Sequence, residues 1–411
     1  MQKISVRKTW QQLAIATNWP VLVAVLVLSA MGIISIFAAS RAQAAAASRF
    51  DGMKQCIFLG VAILCMALFQ IVNYQKIGRV AWLFYLLSLM LVLYTVMGNV
   101  AEAHGHPLPG VHSTKGVCAW ININLPGFGP VSLEPAELMK ISFVLLLARY
   151  LRFRNNYRTL PGLMPPFAMA LVPMVLILKQ PDLGMAMLFL PVLFAMLFVA
   201  GAKIKHLALI MGLGVLLAPV VWFSGVPRVP VLRHFPQVIK KYQRERMEAF
   251  LDSSNPAERQ RKAYQTYRAM IAFASGGLPG KGFGNIPIGK SVPEAHNDMI
   301  FALIGEQFGF FGALIMLGAY LVLFAAGIEI SAGTREPFGR LIAIGIVAVL
   351  ACQTFINLMV CTGLMPVTGI TLPFVSYGGS SMVASYMAAG LLLNVGQNRP
   401  LVMARESFDF D

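Results

Sequence analysis

Long apolar runs recur along this chain, and they constrain its fold more than any other feature. Each is 17 residues or longer, close to the roughly 20 residues with which a helix crosses about 30 Å of hydrocarbon. The runs cover 19–39, 57–73, 80–97, 136–152, 163–179, 183–200, 206–225, 299–328, 339–361 and 377–395. Charged residues make up only 12% of the chain, about half of the roughly 25% that is usual in soluble domains. We therefore expect an all-α polytopic membrane protein with about ten transmembrane helices and one long extracytoplasmic loop between helices 7 and 8.

Two of these runs need interpretation. The first follows a basic N-terminus and precedes alanine-rich sequence, as a signal peptide would, but its length exceeds the roughly 7–15 apolar residues of a signal. We expect it to be a retained first helix. The run 299–328 is long for one span and predicts either one tilted helix or a broken one.

Basic residues are distributed unevenly between the two sides of the predicted bundle. With the N-terminus inside, the short cytoplasmic segments hold 15 Lys and Arg residues and the short outer loops hold five. This bias predicts that residues 1–18 and 396–411 both lie in the cytoplasm. The whole chain, 1–411, is predicted to form a single membrane domain.

One outer segment, 226–297, is also strongly basic. It holds twelve basic and five acidic residues, a net charge of +7 within the +16 of the whole chain. Long loops translocate regardless of charge, so the predicted topology stands. The basic surface would attract anionic lipid headgroups or a phosphate-bearing substrate, although a solvated charged loop explains the charge equally well.

Ionisable residues within or beside the spans are candidates for function, because charge in a membrane is expensive. Glu137 and Lys140 lie three residues apart on one helix face and can pair, either at a site or as a structural ion pair. Asp182 joins two spans and can equally be a helix N-cap. Asp298 ends the basic segment and is a candidate general base. Glu306 is a weaker candidate, with a helix contact as its expected role.

Glycine and proline cluster in two places. The segment 276–282 is rich in glycine but lacks the order of a phosphate-binding P-loop. The segment 363–381 predicts a re-entrant or tightly turned stretch just outside the last helix. The outer loop 98–135 contains three histidines with only Glu102 at useful spacing, so we expect a mobile Gly/Pro loop there and assign no metal ligands.

These same segments resemble the SEDS family, which includes RodA, FtsW and SpoVE. The stretch Asn357–Ser381, NLMVCTGLMPVTGITLPFVSYGGSS, is similar to the family signature almost throughout. Four further blocks agree in order: EPAELMK at 134–140, QPDLG at 180–184, SGGL with GKG at 275–282, and PEAHND at 293–298. The resemblance covers essentially the whole chain.

The resemblance implies a peptidoglycan glycosyltransferase that polymerises lipid II on the outer face of the cytoplasmic (inner) membrane. It implies that Asp298 is the essential aspartate and that Glu137 and Lys140 line a cavity. It also implies a class B penicillin-binding protein, a transpeptidase, as partner, with lipid II and membrane lipids as the other partners and no nucleic acid.

The predicted mechanism uses Asp298 as the base, or as an organiser of the acceptor or of a metal, and cations of the long loop to hold the pyrophosphate. A divalent cation, Mg²⁺ or Mn²⁺, is an alternative that would share that task. The candidate substrate-binding and cavity residues are Glu137, Lys140, Asp182, Arg246, Gln265, Arg268, Lys281, His296 and Ser376. The candidate structural residues of the signature are Asn357, Pro366, Gly369, Pro373, Gly378 and Gly379.

Three positions depart from the family pattern: Ala119 before Trp120, Arg268 in the long loop, and Asn297 before the predicted aspartate. These departures affect local substrate contacts rather than the class. Two other functions stay open, a lipid II flippase and a non-catalytic scaffold for wall synthesis. The subfamily marks conflict, so elongation, division and sporulation all stay open.

Overall fold

The computed structural model describes residues 18–42, 51–106, 108–111, 118–125, 129–180, 182–224, 244, 247 and 264–398. These residues are mostly helical. The helices are α1 Trp19–Ala42, α2 Asp51–Ile71, α3 Tyr74–Arg79, α4 Ala81–Ala103, α5 Pro135–Phe153, α6 Met164–Lys179, α7 Leu183–Ala200, α8 Ile204–Phe223, α9 Tyr264–Ser275, α10 Ile300–Gly333, α11 Pro337–Cys361 and α12 Gly379–Asn398. The strands are β1 Ile121–Leu125 and β2 Gly129–Leu133.

A helix lies at each of the ten predicted spans. Among the described residues, seven helical segments are long and apolar enough to cross a membrane, and they contain α1, α2, α4, α6, α7, α10 and α11. The other three are α5, which carries buried charge, α8, whose apolar stretch is shorter, and α12, which is rich in small and polar residues. The count of ten membrane spans therefore stays a prediction.

The protein is mostly helical, as the sequence predicts, and it also contains one short pair of strands. The loop after α4 contains an antiparallel hairpin in which Ile121 faces Leu133 and Ile123 faces Val131. Its branched apolar residues favour strands, and its two short strands pair only with each other. The long predicted loop also contains a helix, α9, immediately before the glycine-rich segment.

The bundle is built on long helix pairs. The first helix, α1, packs along α10, and α12 packs along α2. The Ser29 hydroxyl of α1 hydrogen bonds with the Tyr386 hydroxyl of α12 at 2.7 Å. Small residues permit close approach in a lipid environment, where apolar surface alone does not drive helices together. At Gly390 of α12, for example, a Cβ atom would collide with the backbone of Met66 in α2.

Helix α10 is broken near its start, which resolves the two alternatives for its length. Gly309 has φ 65° and ψ −159°, a backbone conformation closed to residues with side chains. The glycine-rich segment 276–282 packs against this break and pairs with its backbone. Lys281 N donates to Glu306 O at 3.0 Å, and Phe310 N donates to Gly277 O at 2.9 Å. The segment thus supplies the hydrogen bonds that the interrupted helix lacks.

Candidate functional site

Asp298 lies just before α10 and is almost fully buried, with 7% of its surface exposed. Its carboxylate accepts hydrogen bonds from the Gln265 amide of α9, with Nε2 at 3.2 Å from Oδ1 and 3.3 Å from Oδ2. The same Nε2 atom also donates to the Pro293 carbonyl at 3.1 Å. Gln265 therefore joins α9 to both ends of the PEAHND segment and orients the carboxylate within it.

The signature, which begins with Asn357 on α11 and continues into the turns after it, anchors the backbone around Asp298. The Asn357 amide donates to the Asp298 carbonyl at 2.8 Å and to the Ile370 carbonyl at 2.7 Å. The Ser376 hydroxyl donates to the Asn297 carbonyl, and Tyr377 N donates to the His296 carbonyl at 2.9 Å. Because three successive carbonyls are bound by one segment, the position of the aspartate is set by the signature.

Tyr377 also contacts side chains on both sides of this segment. Its ring meets the His296 ring edge to face, with centroids 5.4 Å apart. Its hydroxyl donates to Asp51 Oδ1 of α2 at 3.4 Å. Burial, followed by the nearby charge of Asp51, raises the pKa of the Tyr377 hydroxyl. Tyr377 is therefore a neutral donor at physiological pH.

The second predicted charge pair is buried inside the bundle. Lys140 Nζ lies 2.8 Å from Glu137 Oε2 and donates to Gln353 Oε1 of α11 at 2.7 Å. The space beside Lys140, walled by Phe143 and Leu188, is too small to hold a water molecule. The pair is thus buried between helices, and its place in the wall of a substrate cavity stays a prediction. Glu137 Oε1 has no hydrogen-bond partner among the described residues.

Helix α11 connects the two charged positions. Gln353 and Asn357 lie one turn apart on it, and Gln353 Nε2 donates to the Thr371 carbonyl at 3.0 Å. Asn357 binds the carbonyl of the preceding residue, Ile370. Gln353, which binds Lys140, and Asn357, which binds the Asp298 carbonyl, therefore contact two neighbouring peptide groups of the signature. Gln353 is not among the residues predicted from the sequence, although an amide within an apolar helix is itself a signal of internal polar contact.

Asp182 and Glu134 lie near the Glu137–Lys140 pair. Asp182 is the N-cap of α7, since its Oδ1 accepts from Met185 N at 2.9 Å. Burial, the charge of Glu137 and the charge of Asp182 raise the pKa of the Glu134 carboxyl to about 8, against lowering by Lys140 and by a hydrogen bond with Trp120. Glu134, which precedes α5, was not singled out from the sequence.

Lys281, one of the predicted substrate-binding cations, forms an ion pair within the protein. Its Nζ lies 2.8 Å from Glu306 Oε1, and the Glu306 side chain is fully buried. That carboxylate also accepts from Ser275 Oγ, Ile288 N and Gly289 N. The ion pair thus fastens the glycine-rich segment to α10. In this structure the ammonium group is engaged with a carboxylate, and its binding of pyrophosphate stays a prediction.

The remaining predicted residues are distributed as follows. Arg246 lies outside the described residues. Arg268 lies on α9 one turn from Gln265, with its guanidinium 5.3 Å from the centre of the Tyr264 ring. The hydroxyl of Ser376 faces backbone, accepting from Leu372 N at 2.7 Å and donating to Asn297, so its contacts anchor the segment.

The structural residues of the signature form the tight turns between α11 and α12. Gly369 and Gly378 have φ angles of 77° and 150°. The Pro373 carbonyl accepts from the Tyr320 hydroxyl at 2.6 Å. Pro366 lies in the turned backbone before them, and Gly379 begins α12 against the Phe58 ring. The segment is turned as the sequence predicted, and residues 372–376 within it are buried.

The chain matches one family model over nearly its whole length. The model describes the cell cycle protein family of FtsW, RodA and SpoVE, and it covers residues 18–400. A probable peptidoglycan glycosyltransferase FtsW of Trichlorobacter lovleyi is 32% identical over 386 residues, which are 91% of each chain. The stage V sporulation protein E of Bacillus subtilis is 32% identical over 380 residues, 90% of this chain and 94% of that protein.

Solved structures share the fold. One chain, from a peptidoglycan synthase complex that coordinates polymerization and crosslinking, has a TM-score of 0.72 and 27% identity. The superposition covers 94% of this chain and 99% of that one. A point mutant of the rod shape determining protein RodA of Thermus thermophilus has a TM-score of 0.63 and 25% identity, covering 93% of this chain and 98% of that one.

Proposed function

The chain belongs to the family of FtsW, RodA and SpoVE, and we propose that it uses Asp298 to polymerise lipid II at the outer surface of the cytoplasmic membrane. It is a peptidoglycan glycosyltransferase, as its named relatives are. It is a multi-pass membrane protein. The outer surface, the cytoplasmic termini and the choice of lipid II belong to the proposal.

One observation supports the role of Asp298 above all others. Its backbone is bound by Asn357 of the signature and its carboxylate by Gln265 of α9. A general base must be held at hydrogen-bond distance from the hydroxyl that it deprotonates, and this double anchoring provides such rigidity.

The proposed reaction is a single displacement. The acceptor sugar hydroxyl gives its proton to the Asp298 carboxylate, and its oxygen forms a bond to the anomeric carbon of the donor. The bond from that carbon to the pyrophosphate oxygen breaks, and its electron pair leaves with the undecaprenyl pyrophosphate. Positive charge must stabilise this leaving group, and Arg268, on α9 with Gln265, is the cation that we assign to this task.

A divalent cation stays a prediction for the same task. Among the described residues, no group of three or more His, Cys, Asp or Glu side chains is arranged to hold a metal ion. Asp298 offers one carboxylate and Gln265 one amide, which is a sparse donor set for Mg²⁺ or Mn²⁺.

The proposed partner is a class B penicillin-binding protein. The most informative support is the solved chain of similar fold that forms part of a peptidoglycan synthase complex coordinating polymerization and crosslinking. A transpeptidase of that class would supply the crosslinking activity.

Reconstitution separates polymerase, flippase and scaffold. Wild-type protein and the variant Asp298→Asn are placed in vesicles with labelled lipid II, each with and without a class B penicillin-binding protein. The variant Glu329→Gln, which alters an exposed carboxylate of α10, serves as the matched control.

We expect glycan polymer from wild type and Glu329→Gln and a loss of about 10²–10⁴-fold in Asp298→Asn, the range of general-base catalysis. Label that crosses the bilayer without polymer would instead identify a flippase. Neither product in any sample would identify a scaffold. Normal polymer from Asp298→Asn would remove this carboxylate from the chemistry.

A further inference from the structure

A cavity of about 200 Å³ lies at the end of the bundle opposite Asp298. It opens between α3, α5 and α11, and its walls include Gln75, Arg79, Arg149, Arg152, Phe153 and Phe338. Phe338 precedes Asn357 by 19 residues on α11, which is roughly 28 Å of helix. The cavity and Asp298 are therefore separated by about the thickness of a bilayer core.

Three arginines converge on this cavity, and two of them are fixed by the protein. Arg149 donates through Nη1 to the carbonyls of Gly78 and Arg79 at the end of α3. Arg152 Nε lies 3.0 Å from Glu336 Oε1, and its guanidinium lies 5.0 Å from the Phe153 ring centre. The two guanidinium groups are thus held in position by contacts within the protein.

The third arginine leaves the cavity with unbalanced charge. Arg79 is exposed, and among the described residues its side chain has no ion-pair partner. Glu336 balances one of the three guanidinium groups, so the described residues of the cavity carry a net charge of about two positive units. Guanidinium groups match phosphate oxygens in charge and in hydrogen-bond geometry. The chemistry of the walls therefore points to a phosphate group.

The surroundings indicate a lipid rather than a free anion. Phe153 is 68% exposed at the rim of the cavity. At the start of α4, Trp82 and Leu83 are 52% and 53% exposed, and an exposed tryptophan at a helix end is typical of the membrane interface. A ligand with its phosphate among the arginines would thus have apolar surface beside it for its glycerol and acyl groups. We propose that this cavity binds the phosphate headgroup of an anionic phospholipid from the adjacent leaflet.

Orientation of the helices alone does not account for the cavity. Arg154, Arg158 and Arg335 are also exposed and predicted on the same side, but they do not line the cavity. The positive-inside bias requires only that such charges lie near the membrane, whereas a phospholipid site requires that they converge. The exposed arginines outside the cavity therefore provide matched controls.

Native mass spectrometry of the full chain tests the proposal. Purified wild type, Arg79→Gln, Arg79→Lys and Arg154→Gln are each mixed with phosphatidylglycerol, with phosphatidylcholine, or with inorganic phosphate. Thermal unfolding of the same samples is followed in parallel. Arg79 and Arg154 are both exposed, so loss of either guanidinium is compatible with folding.

We expect wild type and Arg154→Gln to retain phosphatidylglycerol over phosphatidylcholine and to unfold at a higher temperature with it. Arg79→Gln should lose this retention several-fold, and Arg79→Lys should lose less. Asp298→Asn should behave as wild type, because binding occurs far from the proposed catalytic aspartate. Equal retention of both lipids, equal loss in Arg154→Gln, or equal stabilisation by inorganic phosphate without retained lipid would overturn the proposal.

Discussion

Asp298 and Glu306 are two buried carboxylates only eight residues apart, and they differ in which of their groups the surrounding protein binds. The Glu306 side chain is itself the anchor, since it accepts from Lys281 Nζ, Ser275 Oγ and two backbone N–H groups. At Asp298 the backbone carbonyl is the anchored group, bound by Asn357, while the carboxylate meets the Gln265 amide of a neighbouring helix.

This difference indicates that the Glu306 carboxylate stabilises the fold, whereas the Asp298 carboxylate takes part in the proposed reaction. A carboxylate with a cation and three further donors has its charge balanced and its oxygen atoms occupied, so it stabilises a fold. A carboxylate whose main chain is fixed can keep its oxygen atoms directed at a reactant. The comparison predicts that changes at Glu306 act through stability and that changes around Asp298 act through activity.

The largest effect on stability is expected from Glu306→Gln. This variant leaves Lys281 without its buried partner, and breaking a buried ion pair costs about 3–5 kcal/mol. Thermal unfolding of the purified chain measures the loss. The double variant Glu306→Gln/Lys281→Met should lose less than the sum of the single variants, because neither charge is then left alone.

The control for this cycle is Glu329→Gln, which changes an exposed carboxylate on the same helix. We expect it to leave the unfolding temperature unchanged. If Glu306→Gln kept the wild-type unfolding temperature but abolished glycan polymerisation, Glu306 would act in the chemistry and the comparison with Asp298 would fail.

A smaller loss of stability, with a separate loss of activity, is expected from Asn357→Ala. The change removes the amide that donates to the carbonyls of Asp298 and Ile370, at a cost of about 1–3 kcal/mol. Asp298 then loses its backbone anchor, so polymerisation per folded molecule should also fall. The measurement is lipid II polymerisation normalised to the folded fraction.

Asn394→Ala provides a close control for this prediction. Asn394 is a fully buried amide of α12 that donates to the carbonyls of Phe69, Gln70 and Val72 at the end of α2. It should lose a similar amount of stability while each folded molecule keeps its activity. Equal activity losses in both variants would mean that Asn357 has no special relation to Asp298.

The sequence is most informative where hydropathy and charge are local signals. Apolar runs predict a helix at each of the ten positions where the structure has one. The length of the run 299–328 predicts either one tilted helix or a broken one, and the backbone at Gly309 shows that α10 is broken. The spacing of Glu137 and Lys140 predicts their pairing, because residues three apart on a helix share a face.

Long-range polar contacts are beyond such reasoning. Gln353 lies 213 residues from Lys140, and no local pattern connects the two. The glycine-rich segment 276–282 is unlike a P-loop in sequence, but its packing against the break in α10 depends on the folded arrangement of both segments. The hairpin 121–133 also differs from the loop that the sequence predicts, because its short strands are interrupted by proline, glycine and asparagine.

We expect the smallest effect on stability from Glu134→Gln. This variant extends the comparison to a third carboxylate. The environment of Glu134 differs from that of Glu306, whose carboxylate pairs with Lys281, and from that of Asp298, whose backbone carbonyl is bound by Asn357. It is partly buried near two other carboxylates, and burial together with these charges raises its pKa from an ordinary 4.5 to about 8. The folded protein therefore holds a proton on Glu134 at pH values where the unfolded chain has released it.

The titration of Glu134 makes the stability of the folded protein depend on pH. Between about pH 4.5 and pH 8 the native state binds more protons at this site than the unfolded state, so Glu134 lowers stability progressively as the pH rises through that window. Below the window both states are protonated and the contribution vanishes. Glu134→Gln keeps the shape of the neutral carboxyl and removes the titration.

We therefore expect Glu134→Gln to match wild type near pH 4.5 and to exceed its stability by about 1 kcal/mol above pH 8, a value reduced for solvent screening at a partly exposed site. Thermal unfolding of both proteins across this range provides the measurement, with Glu329→Gln as a carboxylate control that should run parallel to wild type. A difference between Glu134→Gln and wild type that stays constant with pH would show that the two acidic neighbours do not hold a proton on Glu134. In that case Glu134 would titrate as an ordinary carboxyl, and the comparison of structural with chemical carboxylates would rest on Asp298 and Glu306 alone.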